Sequence, residues 1–545
     1  MSEDPSPSQI PGIHDRIPLI GLTGKVIEVF SKIYSGGIHG IEGQIVSVEA
    51  DSNNGLPGTC MVGYLSSEVR EAQERARTAI RGSGFALPPK KTVINLSPAS
   101  VRKAGTSYDL GIALAILASL GVDMSSFAEN SVFIGELGLD GKIKAVRGVL
   151  PIVTAAKGAG FRRCYIPEEN FAEGNSVEGM EIITPRTLEE CIRFLHHPEE
   201  QKNTMEKLAA ERKTSFVCEE EERKVDFSEV NGQLMLRRAA EIAAAGRHNL
   251  LIIGAAGTGK TMVAQRIPTI LPPMEEAERI EISKIYSICG LLPPGKPLVS
   301  QRPFRSPHHT VSPQALAGGG SVPKPGELSL ASGGVLFLDE LPEFAPRAIE
   351  ILRQPLEERS ISISRLHGTY VFPANFILVA AMNPCPCGYY PDRGRCRCSR
   401  GQIQHYLGKI SKPILERFDI CAEGAPMVYQ DFRREGGETS EAIRERVIKA
   451  WNRQRDRFVN TGIRSNGEMG IKEIKQHCRL RPSEETFLEQ IYTAKKLSGR
   501  SVHKILRVAR TIADLADETY ISKIHLAEAV SYRGLEDKYW GGGTA

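Results

Sequence analysis

The chain has no long apolar run. Its longest, roughly Leu110 to Val122, falls well short of the ~18 residues a membrane span needs. The opening Met1-Ser-Glu-Asp-Pro-Ser-Pro is polar and holds no signal-peptide core, so a cytoplasmic protein without a membrane segment is expected. Strong charge of either sign is missing too. A net charge of +4 over 545 residues does not by itself mark a nucleic-acid binder, and any such surface must be local. The eleven cysteines are odd in number and scattered, unlike the paired framework of a secreted disulfide protein. What the composition does provide is 41% hydrophobic residues, enough for three or four ordinary domains at ~100–200 residues each.

The most informative segment is Leu251-Ile-Ile-Gly-Ala-Ala-Gly-Thr-Gly-Lys-Thr261, an apolar strand that breaks into a glycine-rich loop. Gly254, Ala255, Ala256, Gly257, Thr258, Gly259, Lys260 and Thr261 fit the G-x-x-x-x-G-K-[ST] spacing. Glycines let backbone N–H groups turn inward around phosphates. Lys260 adds a point charge, and the Thr261 hydroxyl is suited to Mg²⁺. The following helix directs its positive end at the same place. ATP and Mg²⁺ are the expected ligands.

A second apolar run, Gly334-Val-Leu-Phe-Leu-Asp-Glu340, reads as a parallel strand buried on both faces. Open α/β sheets bind ligands at the carboxyl ends of their strands. Asp339 is therefore expected to hold magnesium and Glu340 to polarise the attacking water. A third strand, Phe376 to Met382, ends in Asn383, a polar amide able to position water or sense a γ-phosphate. Arg417, in Leu415-Glu-Arg-Phe-Asp419, is a candidate arginine finger for a neighbouring subunit's ATP.

Cys385, Cys387, Cys396 and Cys398 form a C-x-C…C-x-C cluster in one short loop directly after that third strand. Four thiolates match the ligand count of a tetrahedral Zn²⁺ site, and a reducing compartment disfavours disulfides. Interleaved Tyr389, Tyr390, Arg393, Arg395, Arg397 and Arg400 suggest a loop facing nucleic acid or a ring pore. For His308 and His309, loop hydrogen bonding is the favoured reading over metal binding. Gly318-Gly-Gly320 is expected to be mobile, and Ile361 to Phe372 alternates like a hairpin.

Along the chain, residues 1–17 read as a disordered Pro/Ser tail and 18–200 as an N-terminal α/β domain. The charge-dense 201–224 is a linker, 225–430 an ATPase core containing the Cys-rich loop 385–398, and 431–545 a helical region. The fold class expected is α/β.

These residues resemble the magnesium-chelatase-like AAA+ ATPases, in the ComM (YifB) subfamily. The likeness is carried by Gly254-to-Thr261, Phe304-Arg-Ser-Pro-His-His-Thr310, Gly318-Gly-Gly320, Gly326-Glu-Leu-Ser-Leu-Ala, Val335-to-Glu340, Arg353-Gln-Pro-Leu-Glu357, Ala381-Met-Asn-Pro-Cys-Pro-Cys-Gly388 and Arg417-Phe-Asp419. The resemblance implies a P-loop core with a helical lid, lid helix Ser501 to Leu515, and Arg500 rather than Arg507 as the second sensor. It further implies a homo-oligomeric ring, a hexamer, acting on branched or single-stranded DNA in branch migration during natural transformation. A chelatase-type or protein-remodelling ATPase is the alternative, although an Asp-x-Ser-x-Ser segment is absent.

The N-terminal region resembles the Lon proteolytic-domain fold through Gly135-Glu-Leu-Gly-Leu-Asp-Gly-Lys142 and Ile166-Pro-Glu-Glu-Asn170. That alignment puts Leu150 where a Lon-type lysine base would stand, so peptidase activity is not expected. Lys90, Lys91, Arg102 and Lys103 offer either a DNA contact or plain solvated surface.

Overall fold

The computed structural model describes residues 30–124, 128–202, 225–293, 295–365, 368–426 and 436–540. The expected tail at 1–17 and nearly all of the expected linker, from 203 to 224, lie outside the described residues.

Residues 31–183 carry a seven-stranded mixed sheet. Its spatial order is Gly58–Val62, Lys91–Ser97, Glu42–Asn53, Ser31–His39, Ser131–Phe133, Arg163–Tyr165 and Glu181–Ile183. The first hairpin pairs Ser31 with Ala50 through to His39 with Glu42. The long apolar run forms helix Asp109–Ser119, in which ten of eleven residues are buried. A helix apolar all round belongs inside a core, and this one packs against the sheet. Its one buried charge, Asp109, is answered by Arg75 at 2.7 Å. Helix Ser67–Gly82 covers the same core through Val69, Ala72, Ala76, Ala79 and Ile80.

The second sheet is parallel throughout, in the order Phe304–Arg305, Val335–Leu338, Ile377–Met382, Leu250–Ile253 and Ile420–Glu423. The strands at 250–253, 335–338 and 377–382 are buried at every position. That explains their unbroken apolar sequences, since helices cover both faces. Each fully buried Leu, Ile or Val contributes about 1.5–3 kcal/mol relative to exposure. Helix Leu234–Gly246 brings alanines at 239, 240 and 243–245 against this sheet. The C-terminal helices lie on the same core; Gly499–Leu515 buries Ile505, Val508, Ala509 and Ile512 along one stripe.

Two hairpins project from the ATPase-like sheet. Ser360–Arg365 pairs antiparallel with Gly368–Pro373, burying Ile361, Ile363, Tyr370 and Phe372 and exposing the alternate residues. A shorter one pairs Gly318 with Pro325 and Gly319 with Lys324. Gly318 has φ +98, and a Cβ there would lie 2.3 Å from the Lys324 carbonyl oxygen. The glycine is required there by close backbone approach.

The N-terminal sheet docks on helix Glu276–Cys289. The Gly148 N–H donates to the Ser287 carbonyl at 3.2 Å, the Ser287 hydroxyl donates to Glu173, and Lys284 pairs with Glu42 at 2.9 Å. Of the basic residues considered for DNA contact, Lys103 is excluded. It is 1% exposed and its ammonium is spent on the Pro98 carbonyl. Leu150 is equally buried, its N–H donating to Glu173 at 2.7 Å.

Candidate nucleotide site

Three adjacent parallel strands deliver the candidate residues to one edge. Ile253 is in register with Met382 and Leu338 with Ala380, so Gly254, Asn383 and Asp339 leave the sheet side by side. The loop turns on Gly257 and Gly259, at φ +78 and +75, values that side chains resist. Thr258 closes it through its hydroxyl to the Ala255 carbonyl at 2.9 Å. Helix Lys260–Ile270 starts at once, with Gly259 as its cap.

Lys260 is the centre of the cluster. Its ammonium donates to the carbonyls of Gly254 and Ala255, both at 2.8 Å, and to Asn383 Oδ1 at 3.2 Å. Burial pulls its pKa below the usual lysine value, opposed by the nearby Asp339 and Glu340 carboxylates. The Thr261 hydroxyl donates to Asp339 Oδ2 at 2.8 Å, so the two candidate magnesium ligands already share one location. Glu340 follows in a left-handed conformation, φ 53, a strain of about 1–3 kcal/mol for a non-glycine residue. Its N–H donates to Asp339 Oδ1 at 2.9 Å, and its carboxylate is 3.7 Å from His309 Nδ1. A positive-φ cradle, a buried cation and a hydroxyl–carboxylate pair fit a nucleoside triphosphate with magnesium. Lys260 and the loop amides would hold its phosphates. Thr261 and Asp339 would hold the ion, which supplies charge neutralisation.

Arg417 lies at the opposite end of the sheet. Its carbonyl accepts from Asn249 Nδ2 at 3.0 Å, one residue before the strand Leu250–Ile253 that leads into Gly254. The intervening five steps span about 17 Å at ~3.3 Å each, so Arg417 cannot serve the loop of its own chain. Its guanidinium pairs instead with Glu357, in helix Arg353–Glu358. Arg500 is not brought to the phosphate loop either. It is exposed and pairs with Glu416 at 3.2 Å, beside Arg417. Arg507 turns to the Gly467 carbonyl at 2.8 Å. Behind this edge Asp419 is buried. Burial alone would raise its pKa, but His248, Lys504 and Arg507 outweigh it and hold the carboxyl far below the usual range.

The cysteine loop is not remote from this chemistry. The Sγ atoms of Cys385, Cys387, Cys396 and Cys398 lie within 4.8 Å of one another. Cys385 is 3.4 Å from Cys387 and 3.7 Å from Cys396. The Tyr389 backbone amide pulls the Cys387 thiol down to about 6. The loop borders the nucleotide end of the sheet. Pro386 shares a cavity of about 450 Å³ with Glu340, Asn383, Gln402, His405 and Tyr406. The sequence had pointed to none of Gln402, His405 or Tyr406, because only the return of helix Arg400–Gly408 beneath Asn383 brings them there. His309 likewise owes its place beside Glu340 to the edge strand at 304–305, whose pairing with Val335–Leu336 carries the downstream loop across. His308 makes the local hydrogen bond expected, to Thr310 Oγ1 at 2.9 Å.

A doubly wound parallel sheet with this loop, these carboxylates and a helical lid defines a P-loop core of the AAA+ class. Comparison with known proteins narrows the class. Family models described as magnesium chelatase subunit ChlI match residues 226–431, as subunit ChlI of Mg-chelatase 48–170, and as the ChlI C-terminal region 437–533. The chain is 40% identical to competence protein ComM of Haemophilus influenzae over 509 residues, 92% of this chain and 97% of that one. It is 40% identical to the uncharacterized protein YifB of Salmonella typhimurium over 500 residues, 91% and 96% of the two chains. The chain belongs to the magnesium-chelatase-like AAA+ family, in its ComM (YifB) branch. An archaeal Lon protease of Methanocaldococcus jannaschii is 30% identical over 179 residues, 31% of this chain and 27% of that protein. No helix among the described residues is long and apolar enough to cross a membrane.

Proposed function

We propose that the chain is a ring-forming, ATP-driven DNA motor that migrates branched DNA during recombination of incoming strands in natural transformation. The observation that carries this reading is the split site: the phosphate loop, Asp339, Glu340 and Asn383 share one edge of the sheet, and Arg417 stands on the other. A finger that cannot reach its own loop fits hydrolysis between neighbouring copies, as in a hexameric ring. Lys260 and Thr261 hold the substrate, Glu340 takes a proton from the attacking water, and Arg417 of the adjacent copy stabilises the transferring charge. Arg500, beside Arg417, reaches the same interface.

DNA as the partner is supported by convergence of charge at the hairpin tips. Arg365 donates to the Gly320 carbonyl and Arg102 to the Ser321 carbonyl, both at 3.3 Å. Exposed Lys324 lies on the same short hairpin. Three cations from three segments around one turn suit a phosphate backbone. The name of the H. influenzae relative supports the link to competence. The four thiolates take a zinc ion. The Lon-like fold of the N-terminal region serves as scaffold, because Leu150 cannot act as a base.

The test is ATP turnover with no DNA, duplex DNA, forked DNA and four-stranded junctions, with strand displacement read in parallel. Stimulation by the branched substrates, with displaced strand, is expected. Turnover indifferent to every DNA would favour a chelatase-type or protein-remodelling motor.

A further inference from the structure

The cysteine cluster has the dimensions of a metal site and the position of a hinge. Zinc–thiolate arms of ~2.3 Å set tetrahedral edges of about 3.8 Å. The Cys385–Cys387, Cys387–Cys396 and Cys385–Cys396 separations are 3.4, 3.6 and 3.7 Å. A disulfide would need ~2.05 Å. Cys385 and Cys396 are buried while Cys387 is exposed, so an ion could enter from one side.

Both ends of the loop run straight into the nucleotide site. On the leading side, Asn383 stands two residues before Cys385 and accepts from Lys260. On the trailing side, Cys398 is followed by Ser399, which caps helix Arg400–Gly408 with a reciprocal Ser399–Gln402 box. That helix supplies Gln402, His405 and Tyr406 to the Glu340 cavity, which Asn383 also lines. Between the two sides, Gly388 turns at φ +83, and a Cβ there would lie 3.8 Å from the Ala256 nitrogen of the phosphate loop.

We propose that zinc held by Cys385, Cys387, Cys396 and Cys398 clamps the hydrolysis cleft, fixing Asn383 and helix Arg400–Gly408 against Lys260 and Glu340. The ion performs no chemistry on ATP; it sets the geometry of residues that do. This inference rests on reading Lys260 and Glu340 as an ATPase site. Hydrolysis depends on placement more steeply than binding does, since ~1 Å of displacement can cost about a hundredfold in rate.

The test uses the full chain, assembled as purified under reducing conditions. Zinc is counted by atomic emission, stripped with a chelator and restored, with Co²⁺ absorption reporting a tetrathiolate site. Affinity for a fluorescent ATP analogue and ATP turnover are measured at each stage, with light scattering to verify assembly. The expected result is about one zinc per chain and turnover falling about tenfold or more on stripping, with affinity changing less and zinc restoring the rate. Cys387→Ser, altering the exposed ligand, should behave like the stripped protein. Should that variant fail to fold, stripping zinc from Asn383→Ala decides instead: the clamp requires a loss smaller than in wild type, because part of its effect passes through Asn383. Stoichiometric zinc whose removal leaves turnover within about twofold would overturn the clamp while leaving the metal site standing. Well under one zinc per chain, with no cobalt–thiolate band, would overturn both. A zinc-loaded wild type that binds no ATP would overturn the ATPase reading instead.

Discussion

Replacing Arg417 with alanine separates catalysis from structure more cleanly than any other change to this chain. The side chain is 14% exposed and its partner Glu357 is 60% exposed, so the pair is half-buried, open to solvent on the Glu357 side only. Its loss should cost about 1–3 kcal/mol of stability, far less than its expected effect on turnover, leaving the fold and ATP affinity essentially intact. As a finger acting across an interface, the same guanidinium should be worth about a thousandfold or more in turnover, roughly 4 kcal/mol of barrier. Mixing supplies the decisive assay. In an equal mixture of Arg417→Ala and Glu340→Gln chains, about one interface in four joins an intact Glu340 face to an intact Arg417 edge. Two preparations that are each inactive should therefore recover about a quarter of wild-type turnover if sites fire independently, and less if they are coupled. An Arg417→Ala protein with normal turnover would refute the reasoning. So would a mixture as inactive as its components while rings still exchange subunits.

Other expectations follow from single contacts. Asp419→Asn leaves buried Lys504 without its counter-charge and removes the negative field at half-buried Arg507, and should cost about 3–5 kcal/mol in thermal or denaturant unfolding. Since the folded Asp419 pKa is depressed, its contribution is present above about pH 4 and lost as pH falls below that value. The acid limb of the wild-type stability profile should thus be steeper than that of the Asn variant. Arg365→Glu at the hairpin tip should weaken DNA binding and reduce the salt slope by about one or more, measured by fluorescence anisotropy across a salt series. Gly334→Ala, whose new Cβ would lie 1.9 Å from the Pro303 carbonyl oxygen, should lower the melting temperature through a backbone shift beside the Asp339 strand.

Much of the site could be read from the sequence because its parts are local. A phosphate loop needs its glycines, lysine and threonine in fixed order, and a buried parallel strand needs an unbroken apolar run, so Gly254–Thr261 and Val335–Glu340 announce themselves. The hairpin at 360–373 was legible for the same reason, its alternation following the pleat. What stayed hidden depends on tertiary return. Nothing in the sequence brings helix Arg400–Gly408 beneath Asn383 or His309 to Glu340. Composition gave Lys103 to the surface, whereas the fold buries it. Arg500 looks like a sensor by its expected position before the lid helix, yet it lies in that helix's first turn, at the end of the sheet opposite the phosphate loop. The cysteine cluster revealed its ligand count but not its place, because Gly388 meets Ala256 only when two strand ends are adjacent.

The most direct test is to measure bound nucleotide and turnover together in Glu340→Gln. Removing only the proton acceptor, with Lys260, Thr261 and Asp339 intact, should leave about one ATP retained per chain and turnover reduced about a hundredfold or more. Turnover at the wild-type rate, or a protein that retains no nucleotide, would contradict the account.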